Sequence, residues 1–380
     1  MLSGPLGGEQ HEAVRVTMQG FVDREVLPHV EAWEEAASFP RSLYKVAGDL
    51  GILAIGFPEA YGGVPAGILE QLVVSETLAR CGAGGVVAGL MSHGIGAPPI
   101  AHLGSDATKQ KYLPGILAGE LICALAITEP SGGSDVANLK TTARRDGDHY
   151  VLNGSKAFIT SGMRADAITV AVRTGGDGLG GVSLIVVDGD ARGLARTEMK
   201  KMGWWCSDTA MLYFEDCRVP AENLLGPENS GFLGMMHNFN AERLNLAAMA
   251  YGMSTVCYDE ALSWAKQRET FGRPLVRHQV VRHKLVDMAT AIMALRAQLE
   301  RIAWQVDQGT HPIADVCMTK NLATQTLELC AKESVQILGG AGYLRGTAVE
   351  RIYRETKVLS IGGGAEEIMK ELAAKQLGIV

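Results

Sequence analysis

Apolar and polar positions alternate with a helical period over the first part of the chain. Between residues 9 and 30, apolar residues recur every three or four positions, which predicts an amphipathic surface helix. A second pattern of this kind ends at Gly51, and FPEAYGG (57–63) has the composition of a loop. Helical spacing continues to about Leu121. We therefore expect residues 1–121 to form an N-terminal helical domain.

The spacing changes to that of strands between residues 122 and 228. Within TTARRDGDHYVLNGSKAFIT (141–160), an Asp-Gly pair (146–147) and an Asn-Gly pair (153–154) are each flanked by β-forming residues, which predicts two hairpin turns. The segment is expected to form an antiparallel middle domain that ends in the turn-rich PAENLLGPENSG. Two more strands are predicted at ITVAVRT (168–174) and VSLIVVD (182–188).

Helical spacing returns in residues 229–380. Helices are predicted over 241–267 and, after Pro312, over 313–338. The predicted fold is therefore mainly α with a middle antiparallel β-domain, in three consecutive domains. The seam of a helix bundle, in which apolar residues step by three and four, is predicted at Leu285, Met288, Ile292, Leu295, Leu299 and Ile302.

Composition and charge exclude several classes of protein. The hydrophobic fraction of 47% is enough for a large core, and the net charge of −7 gives no reason to expect nucleic acid or anionic membrane as the main partner, although local basic clusters could bind phosphates. The seven cysteines form no C-x-x-C pair, so neither a disulfide framework nor a metal site is predicted. MLSGPLGGEQ (1–10) lacks the features of a signal or transit peptide, which favours a cytoplasmic location. The uncharged run 81–104 is rich in glycine and contains two prolines, so a buried helix and loop are expected rather than a membrane span.

Three segments have the composition of ligand-binding loops, each with a simpler alternative. ITEPSGGSD (127–135) places three hydroxyl groups around a glycine pair, which suits an anion or a polarised ring but also a turn with a helix cap. KQRETFGRPLVRHQ (266–279) contains four cationic residues, which is typical of a phosphate clamp or of a solvated helix end. QILGGAGYLRG (336–346) ends a helix on glycines, either for close ligand approach or as a simple helix stop.

Together with FPEAYGG, KAFITSG (156–162), FEDCRVPAENLLG (214–226) and GGGAEEI (362–368), these segments resemble the acyl-CoA dehydrogenase family of flavoproteins. The resemblance covers nearly the whole chain and keeps the order of the motifs. It implies an α-helical N-domain, a β-barrel-like middle domain and a C-terminal four-helix bundle. It also implies FAD between the last two domains, and a homotetramer.

The same resemblance implies a set of FAD contacts. Thr128 and Thr160 would hydrogen-bond the isoalloxazine, Phe158 would pack beside it, and Ser134 would contact the phosphates of cofactor and substrate. Ala365 stands where threonine is usual, and Glu367 replaces a glutamine found in some members. The remaining implied contacts to FAD, some of them across a subunit interface, are Arg268, Phe271, Gln279, Gln336, Gly339, Gly340, Ala365 and Glu367.

The catalytic base is implied at an uncommon position. The best-known members of the family carry their catalytic glutamate where this chain has Gly363, whereas FNAERLNLAA (239–248) supplies Glu242, as in the long-chain and isovaleryl branches. Glu242 would remove the α-proton of an acyl-CoA thioester while the β-hydrogen passes as hydride to flavin N5. The backbone N–H of Gly363 would hold the developing enolate oxygen. The substrate path would be lined by Ser134, Asn240, Arg243 and Gly364.

Alternatives stay open at this point. Taken alone, Glu242 fits an acid near a helix N-terminus or an ion pair to Arg243 better than a catalytic base. The first functional hypothesis is a dehydrogenase that forms trans-2-enoyl-CoA and passes its electrons to an electron-transferring flavoprotein. The second is an acyl-CoA oxidase or flavin oxygenase on the same fold. The third, prompted by Gly363, is a non-enzymatic protein that binds flavin or CoA without a base.

Overall fold

The computed structural model describes residues 6–380, except for the side chains of Gln10, Leu233 and His237. Residues 1–5, half of the segment predicted to lack a leader, lie outside the described residues. The chain begins with helices that pack into one layer. Their bounds are α1 (Glu12–Phe21), α2 (Val30–Glu35), α3 (Ser42–Asp49), α4 (Ile68–Ala79), α5 (Gly84–Leu90), α6 (His93–Gly96), α7 (Pro98–Leu103) and α8 (Asp106–Leu117).

The first predicted helix is observed, but in pieces. After α1, one π-helical turn over Val22–Val26 inserts an extra residue, and the chain turns before α2 begins. The extra residue keeps apolar side chains on the buried side, where Met18 and Phe21 are joined by Val22. The second predicted helix ends as expected, because Gly51 takes a left-handed φ of 73° after α3.

The glycine-rich run 81–104 forms the short helices α5, α6 and α7. Most of its residues are buried within the helical layer, as expected for a core segment. Within residues 6–380, none of the helices has both the length and the apolar character needed to span a bilayer.

The middle part of the chain forms one mixed sheet in the order β6-β7-β3-β2-β4-β5-β8, with β1 added beside β4. This order is an open path, so the sheet has two edges. It is mainly antiparallel, as predicted, but β1 runs parallel to β4. The strands are β1 (Cys123–Ala126), β2 (Thr142–Asp146), β3 (His149–Thr160), β4 (Ala167–Arg173), β5 (Val182–Asp188), β6 (Leu194–Glu198), β7 (Thr209–Pro220) and β8 (Leu224–Leu225).

Three of the local strand predictions are confirmed. β4 and β5 lie where the two apolar runs predicted them and pair from Ala167 with Asp188 to Arg173 with Val182. The Asp-Gly pair forms the hairpin turn between β2 and β3, where Gly147 has a φ of 64°.

The turn predicted at the Asn-Gly pair is wrong, because β3 continues through it. Gly154 has a φ of 142° and lies at a bulge in the pairing of β3 with β7. A Cβ atom on Gly154 would lie 2.7 Å from the Cα of Thr141. The glycine therefore serves a close approach between two chain segments, which a local turn signal does not reveal.

The C-terminal part is a helical bundle joined to the rest by one long helix. In α10 the predicted seam is buried along its whole length, and α11 matches its predicted range. The helix predicted from residue 241 instead begins at Gly231. Helices α9, α10, α11 and α12 pack together in the bundle, and α9 also packs on α4, so both helical parts share one core. The elements are α9 (Gly231–Gln267), β9 (Glu269–Thr270), β10 (Arg273–Pro274), α10 (Gln279–Asp307), α11 (Ile313–Leu338), α12 (Ala348–Ile361) and α13 (Glu366–Gln376).

The bulge at Gly154 gives a testable prediction. Gly154→Ala should lower the thermal unfolding temperature more than Gly147→Ala, measured by circular dichroism on both variants. Both positions have a positive φ, which costs an alanine about 1–2 kcal/mol. Only at 154 does the added methyl also meet backbone, since no atom lies within 4 Å of a Cβ at 147. Equal unfolding temperatures for the two variants would contradict the close approach as the reason for glycine at 154.

Candidate active site

A turn made of glycines joins α12 to α13. Gly363 and Gly364 have φ values of 66° and 103°, a region that side chains disfavour. A Cβ on Gly364 would also collide with the terminal methyl of Met369. Both glycines are therefore required by backbone conformation, and the bare backbone of the turn faces α9.

Glu242 on α9 lies beside this turn. Its Oε1 is 3.9 Å from the point where a Cβ on Gly363 would be placed, and Leu246 Cδ1 is 2.6 Å from the same point. Leu246 therefore occupies the volume into which a side chain at 363 would project, and the Glu242 carboxylate borders it at contact distance.

The carboxylate of Glu242 is held in an unusual environment. Its Oε2 is inaccessible to solvent and has no hydrogen-bond partner among the described residues. Burial raises the pKa of Glu242 to about 7, although the charges of Arg243 and Lys320 oppose this rise. A buried carboxylate without a partner and with a raised pKa is typical of a group that acts on a ligand.

Neither alternative role of Glu242 is observed. The helix begins at Gly231, so Glu242 is three turns away from the N-terminus of α9. In the described part of the chain it forms no ion pair with Arg243, whose guanidinium points elsewhere. The geometry therefore leaves the carboxylate free of a structural role.

Arg243 binds the glycine turn. It is buried, and its Nε donates to the carbonyl of Gly363 at 3.2 Å. Its Nη1 donates to Oδ1 of Asn240 at 3.2 Å, and its guanidinium lies over the ring of Phe239. The structure therefore brings Asn240, Arg243, Gly363 and Glu242 together.

The segment 127–135 forms a tight turn attached to the sheet. Two backbone hydrogen bonds between Glu129 and Gly132 close the turn, and the N–H of Ala157 donates to the carbonyl of Thr128 at 2.8 Å. The predicted helix cap is absent from the described residues, since no side chain caps the short 3-10 turn that begins at Val136. The side chains of Thr128 and Ser134 have no hydrogen bonds within residues 6–380 and are available to a ligand.

Phe158 is displayed by a strained backbone. It has a φ of 61°, and its side chain is 65% exposed at a second bulge of β3, between Lys156 and Ile159. A positive φ is a genuine outlier for a bulky residue and costs about 1–3 kcal/mol. Thr160 follows on the same strand, half-buried and with a hydroxyl that is unpaired among the described residues. This combination presents one face of an aromatic ring next to hydroxyl donors.

A buried ion pair that was not predicted from the sequence supports both segments. Lys156 is fully buried, and its Nζ donates at 2.9 Å to the carbonyl of Ile127 and to Oε1 of Glu129. Glu129 also accepts from the backbone N–H groups of Lys140 and Thr141. Burial disfavours its charged form, but the Lys156 charge and these hydrogen bonds lower the pKa of Glu129 to about 2. The only sequence signal was a lysine and an acid within otherwise apolar strand and loop positions.

A second buried lysine was also missed. Lys320 on α11 is 0% exposed and donates from Nζ to the carbonyl of Gly364 at 2.8 Å. It lies on the helix stripe that buries Val316, Ala323 and Leu327. A lysine on such an apolar stripe was the available signal, because a buried ammonium needs a specific partner.

The predicted contacts to the nucleotide part of FAD are on the surface. Arg268, Phe271 and Gln279 are exposed around the β9–β10 hairpin and the start of α10, and the Phe271 side chain is 97% exposed. Gln336, Gly339 and Gly340 lie at the end of α11, where a Cβ on either glycine would meet no atom within 4 Å. Ala365 and Glu367 lie at the first turn of α13, and neither side chain caps that helix.

A separate cavity of about 360 Å³ lies in the N-terminal layer, between α1 and residues 64–66. None of the predicted site residues lines it. This cavity is therefore separate from the candidate site.

Three consecutive family models match the chain: the acyl-CoA dehydrogenase N-terminal domain over residues 8–120, the middle domain over 124–217 and the C-terminal domain over 229–378. The chain belongs to the acyl-CoA dehydrogenase family. Members of this family carry out FAD-dependent dehydrogenation of acyl-CoA, so this acyl-CoA dehydrogenase is an FAD-dependent oxidoreductase. The non-enzymatic hypothesis is thereby removed.

Relatives of known sequence or structure are similar over nearly their whole length. The mitochondrial long-chain specific acyl-CoA dehydrogenase of Sus scrofa is 35% identical, covering 97% of this chain and 86% of that relative. A probable acyl-CoA dehydrogenase of Mycobacterium abscessus is 47% identical with a TM-score of 0.96, covering 98% of this chain and 99% of the other. The butyryl-CoA dehydrogenase of Megasphaera elsdenii is 30% identical with a TM-score of 0.94, covering 99% and 100%.

The residues around β3 of this acyl-CoA dehydrogenase fit the flavin ring of FAD. A planar, polar-edged ring needs an aromatic or apolar face and hydrogen-bond donors at its rim. Phe158 offers an exposed ring on a fixed backbone, and Thr128 and Thr160 offer hydroxyls that are unpaired within residues 6–380. The donor set therefore matches the cofactor that the family uses.

The Lys156–Glu129 pair gives a testable prediction. Lys156→Met should destabilise the fold by about 3–5 kcal/mol and reduce FAD content, because it leaves a buried carboxylate without its cation. Thermal unfolding and flavin absorbance of the purified protein measure both effects.

The control for this prediction is Lys111→Met, which breaks a half-exposed pair with Asp188 and should cost less than about 1 kcal/mol. The double variant Lys156→Met, Glu129→Gln should recover part of the loss by removing the unpaired charge. If Lys156→Met and Lys111→Met unfold at the same temperature, the buried pair does not support the site.

Proposed function

We propose that this enzyme converts an acyl-CoA thioester to its trans-2-enoyl-CoA, with Glu242 as the base that removes the α-proton. The observation that carries the proposal is the unpartnered, buried Oε2 of Glu242 beside the bare backbone of Gly363. An α-proton next to a thioester carbonyl requires a base within hydrogen-bond reach. Among the described residues, no structural partner competes for this carboxylate.

The basicity of Glu242 suits the reaction. A general base works best when its pKa lies near the working pH, and burial brings the pKa of Glu242 to about 7. An ordinary surface glutamate would be a much weaker base. Exclusion of water by the acyl chain would strengthen the same effect.

Gly363 would stabilise the enolate oxygen through its backbone N–H. No hydrogen bond from this N–H is found within the described part of the chain, whereas its own carbonyl is held by Arg243. A donor of this kind typically contributes about 3 kcal/mol to lowering the barrier. Asn240, Arg243 and Gly364 would line the approach to this point, with Ser134 at the phosphates.

When FAD is bound, its isoalloxazine supplies the acceptor for the hydrogen that leaves the β-carbon. Thr128, Thr160 and Phe158 would hold and orient that ring. The adenosine and pyrophosphate side would be held by Arg268, Phe271, Gln279, Gln336, Gly339 and Gly340, with Ala365 and Glu367 near the glycine turn.

We further propose a homotetramer that uses an electron-transferring flavoprotein as acceptor. The almost complete exposure of Phe271 (97%) and Tyr343 (85%), both in segments predicted to contact FAD, supports a second subunit covering them. A related chain, 34% identical with a TM-score of 0.93, comes from a structure described as an electron transferring flavoprotein of Acidaminococcus fermentans. Rapid reoxidation of the reduced enzyme by O2 would instead indicate an oxidase.

The base assignment predicts the behaviour of Glu242→Gln. This variant should retain FAD and bind acyl-CoA, but its anaerobic flavin reduction should slow by about a hundredfold to ten-thousandfold, because an amide cannot accept the proton. Stopped-flow absorbance with butyryl-, octanoyl- and palmitoyl-CoA measures the rate. Glu260→Gln, an exposed change on the same helix, is the matched control and should keep the wild-type rate. Unchanged reduction by Glu242→Gln would reject Glu242 as the base.

The pH dependence follows from the same residue. Because the active form is the carboxylate and burial raises its pKa to about 7, flavin reduction should be slow at pH 6, rise through pH 7 and level off near pH 8 to 9. The second-order rate constant for anaerobic reduction at low acyl-CoA, which reports the pKa of the free enzyme, tests it across this range. A flat profile over pH 6 to 9 would contradict a base with this pKa.

A further inference from the structure

We propose that Lys320 is a positioning residue for proton abstraction, which holds the glycine turn through the carbonyl of Gly364 and supplies a buried positive charge that favours the ionised form of Glu242. The inference rests on the function proposed above and adds a residue that lies outside the predicted catalytic and binding set. Lys320 acts through Glu242 and the turn and does not itself touch the substrate.

The first observation is the cost of burying this lysine. Lys320 is 0% exposed, and its ammonium group donates to a neutral carbonyl, that of Gly364 at 2.8 Å. Within residues 6–380 it forms no ion pair with a carboxylate. An ammonium group taken out of water without a paired anion is costly, and an apolar side chain would fill the same space at lower free energy. The lysine therefore has a role beyond packing.

The second observation is that two cations hold consecutive carbonyls of one turn. Arg243 from α9 binds the carbonyl of Gly363, and Lys320 from α11 binds the carbonyl of Gly364. On the other side, the N–H of Gly362 is bonded to the carbonyl of Val358 at the end of α12. Because hydrogen bonds hold the turn both before and after Gly363, the unbonded N–H of Gly363 is fixed in its orientation. That direction sets where a thioester oxygen is bound.

The third observation is the charge around Glu242. Its own helix contributes Arg243 and α11 contributes Lys320, both of which favour the carboxylate. The other titratable group from α11 is Cys317, whose pKa is raised by burial, so it remains a neutral thiol. Glu366 from α13 is engaged by Gln325 and Lys370. Lys320 is therefore a main source of positive charge from outside α9.

The electrostatic effect has a definite sign. Burial alone raises the pKa of Glu242, and the Lys320 charge holds that rise back. Burial also lowers the pKa of Lys320 to about 8, and the like charge of Arg243 acts in the same direction. Removing the lysine charge should therefore raise the pKa of Glu242, so that a higher pH is needed to ionise it.

The test is Lys320→Met, which keeps most of the side-chain volume and removes the charge and the hydrogen bond. The rising limb of the pH profile for anaerobic flavin reduction should shift upwards by about one pH unit. At pH 7 the rate should fall about fivefold, while at pH 9 it should stay within about twofold of wild type. The probe is whichever of butyryl-, octanoyl- and palmitoyl-CoA reduces the wild type fastest.

A second readout does not depend on activity. Hydrogen–deuterium exchange of the peptide that covers residues 361–366 should be at least about fivefold faster in Lys320→Met, because the turn loses one of the two cationic side chains that bind the carbonyls of Gly363 and Gly364. Lys320→Arg keeps the charge and should leave the pH limb within about 0.3 units of wild type. Lys332→Met, an exposed change on the same helix, should alter neither readout.

The outcomes separate this proposal from the base assignment. An unchanged rising limb of the pH profile overturns the electrostatic role of Lys320, and unchanged exchange of the 361–366 peptide overturns its hold on the turn, even if Glu242→Gln is inactive. Full activity of Glu242→Gln overturns the base assignment instead. If Lys320→Met fails to fold, Lys320→Gln, which is also uncharged, is measured in its place. Failure of both variants to fold would show a purely structural lysine and would count against the proposal.

Discussion

Positions 242 and 363 compete for one volume, and the active site depends on this exclusion. A carboxylate reaches the space beside the glycine turn from α9 because no side chain leaves the turn itself. Leu246, one helical turn further along, closes the rest of that space. A Cβ at 363 would collide with Leu246, lie in contact with the Glu242 carboxylate, and require a backbone conformation that is strained for any residue but glycine. The absence of a side chain at 363 and the presence of an acid at 242 are therefore one structural feature.

Glu129, which is buried, and Glu242, whose Oε2 is inaccessible to solvent, show how neighbouring charges and hydrogen bonds set the role of a carboxylate. Glu129 accepts hydrogen bonds from Lys156 and two backbone groups, so it stays ionised and its work is structural. Glu242 is also surrounded by positive charge, but its Oε2 has no donor among the described residues, and its pKa rises. At Glu129 the Lys156 charge and the hydrogen bonds outweigh burial, whereas at Glu242 burial outweighs the charges of Arg243 and Lys320. The hydrogen bonds of Glu129 fix the loop proposed to bind the flavin ring. Glu242 keeps an oxygen without a donor, which suits its proposed role as a proton acceptor.

Much of the fold could be predicted because its signals are local. The α10 seam, the full range of α11 and the paired strands β4 and β5 all follow from the spacing of apolar residues within each element. The turn predicted at the Asn-Gly pair in β3 is wrong because glycine at 154 is required by the close approach of Thr141 from a neighbouring segment. Lys156 and Lys320 were missed for the same reason, since their partners lie 27 and 44 residues away in sequence. Glu242 and Gly363 were found through the family resemblance, because residue spacing alone does not distinguish a catalytic acid from one that caps or pairs.

The Lys156–Glu129 pair also has a consequence for the order in which the protein assembles. The loop at 127–135 takes its shape from a strand that is made later and must already be paired in the sheet. Contacts between distant parts of a chain close slowly, because the intervening segment loses conformational freedom first. The loop that carries Thr128 therefore depends on the strand that carries Phe158 and Thr160, so these three residues acquire their arrangement together.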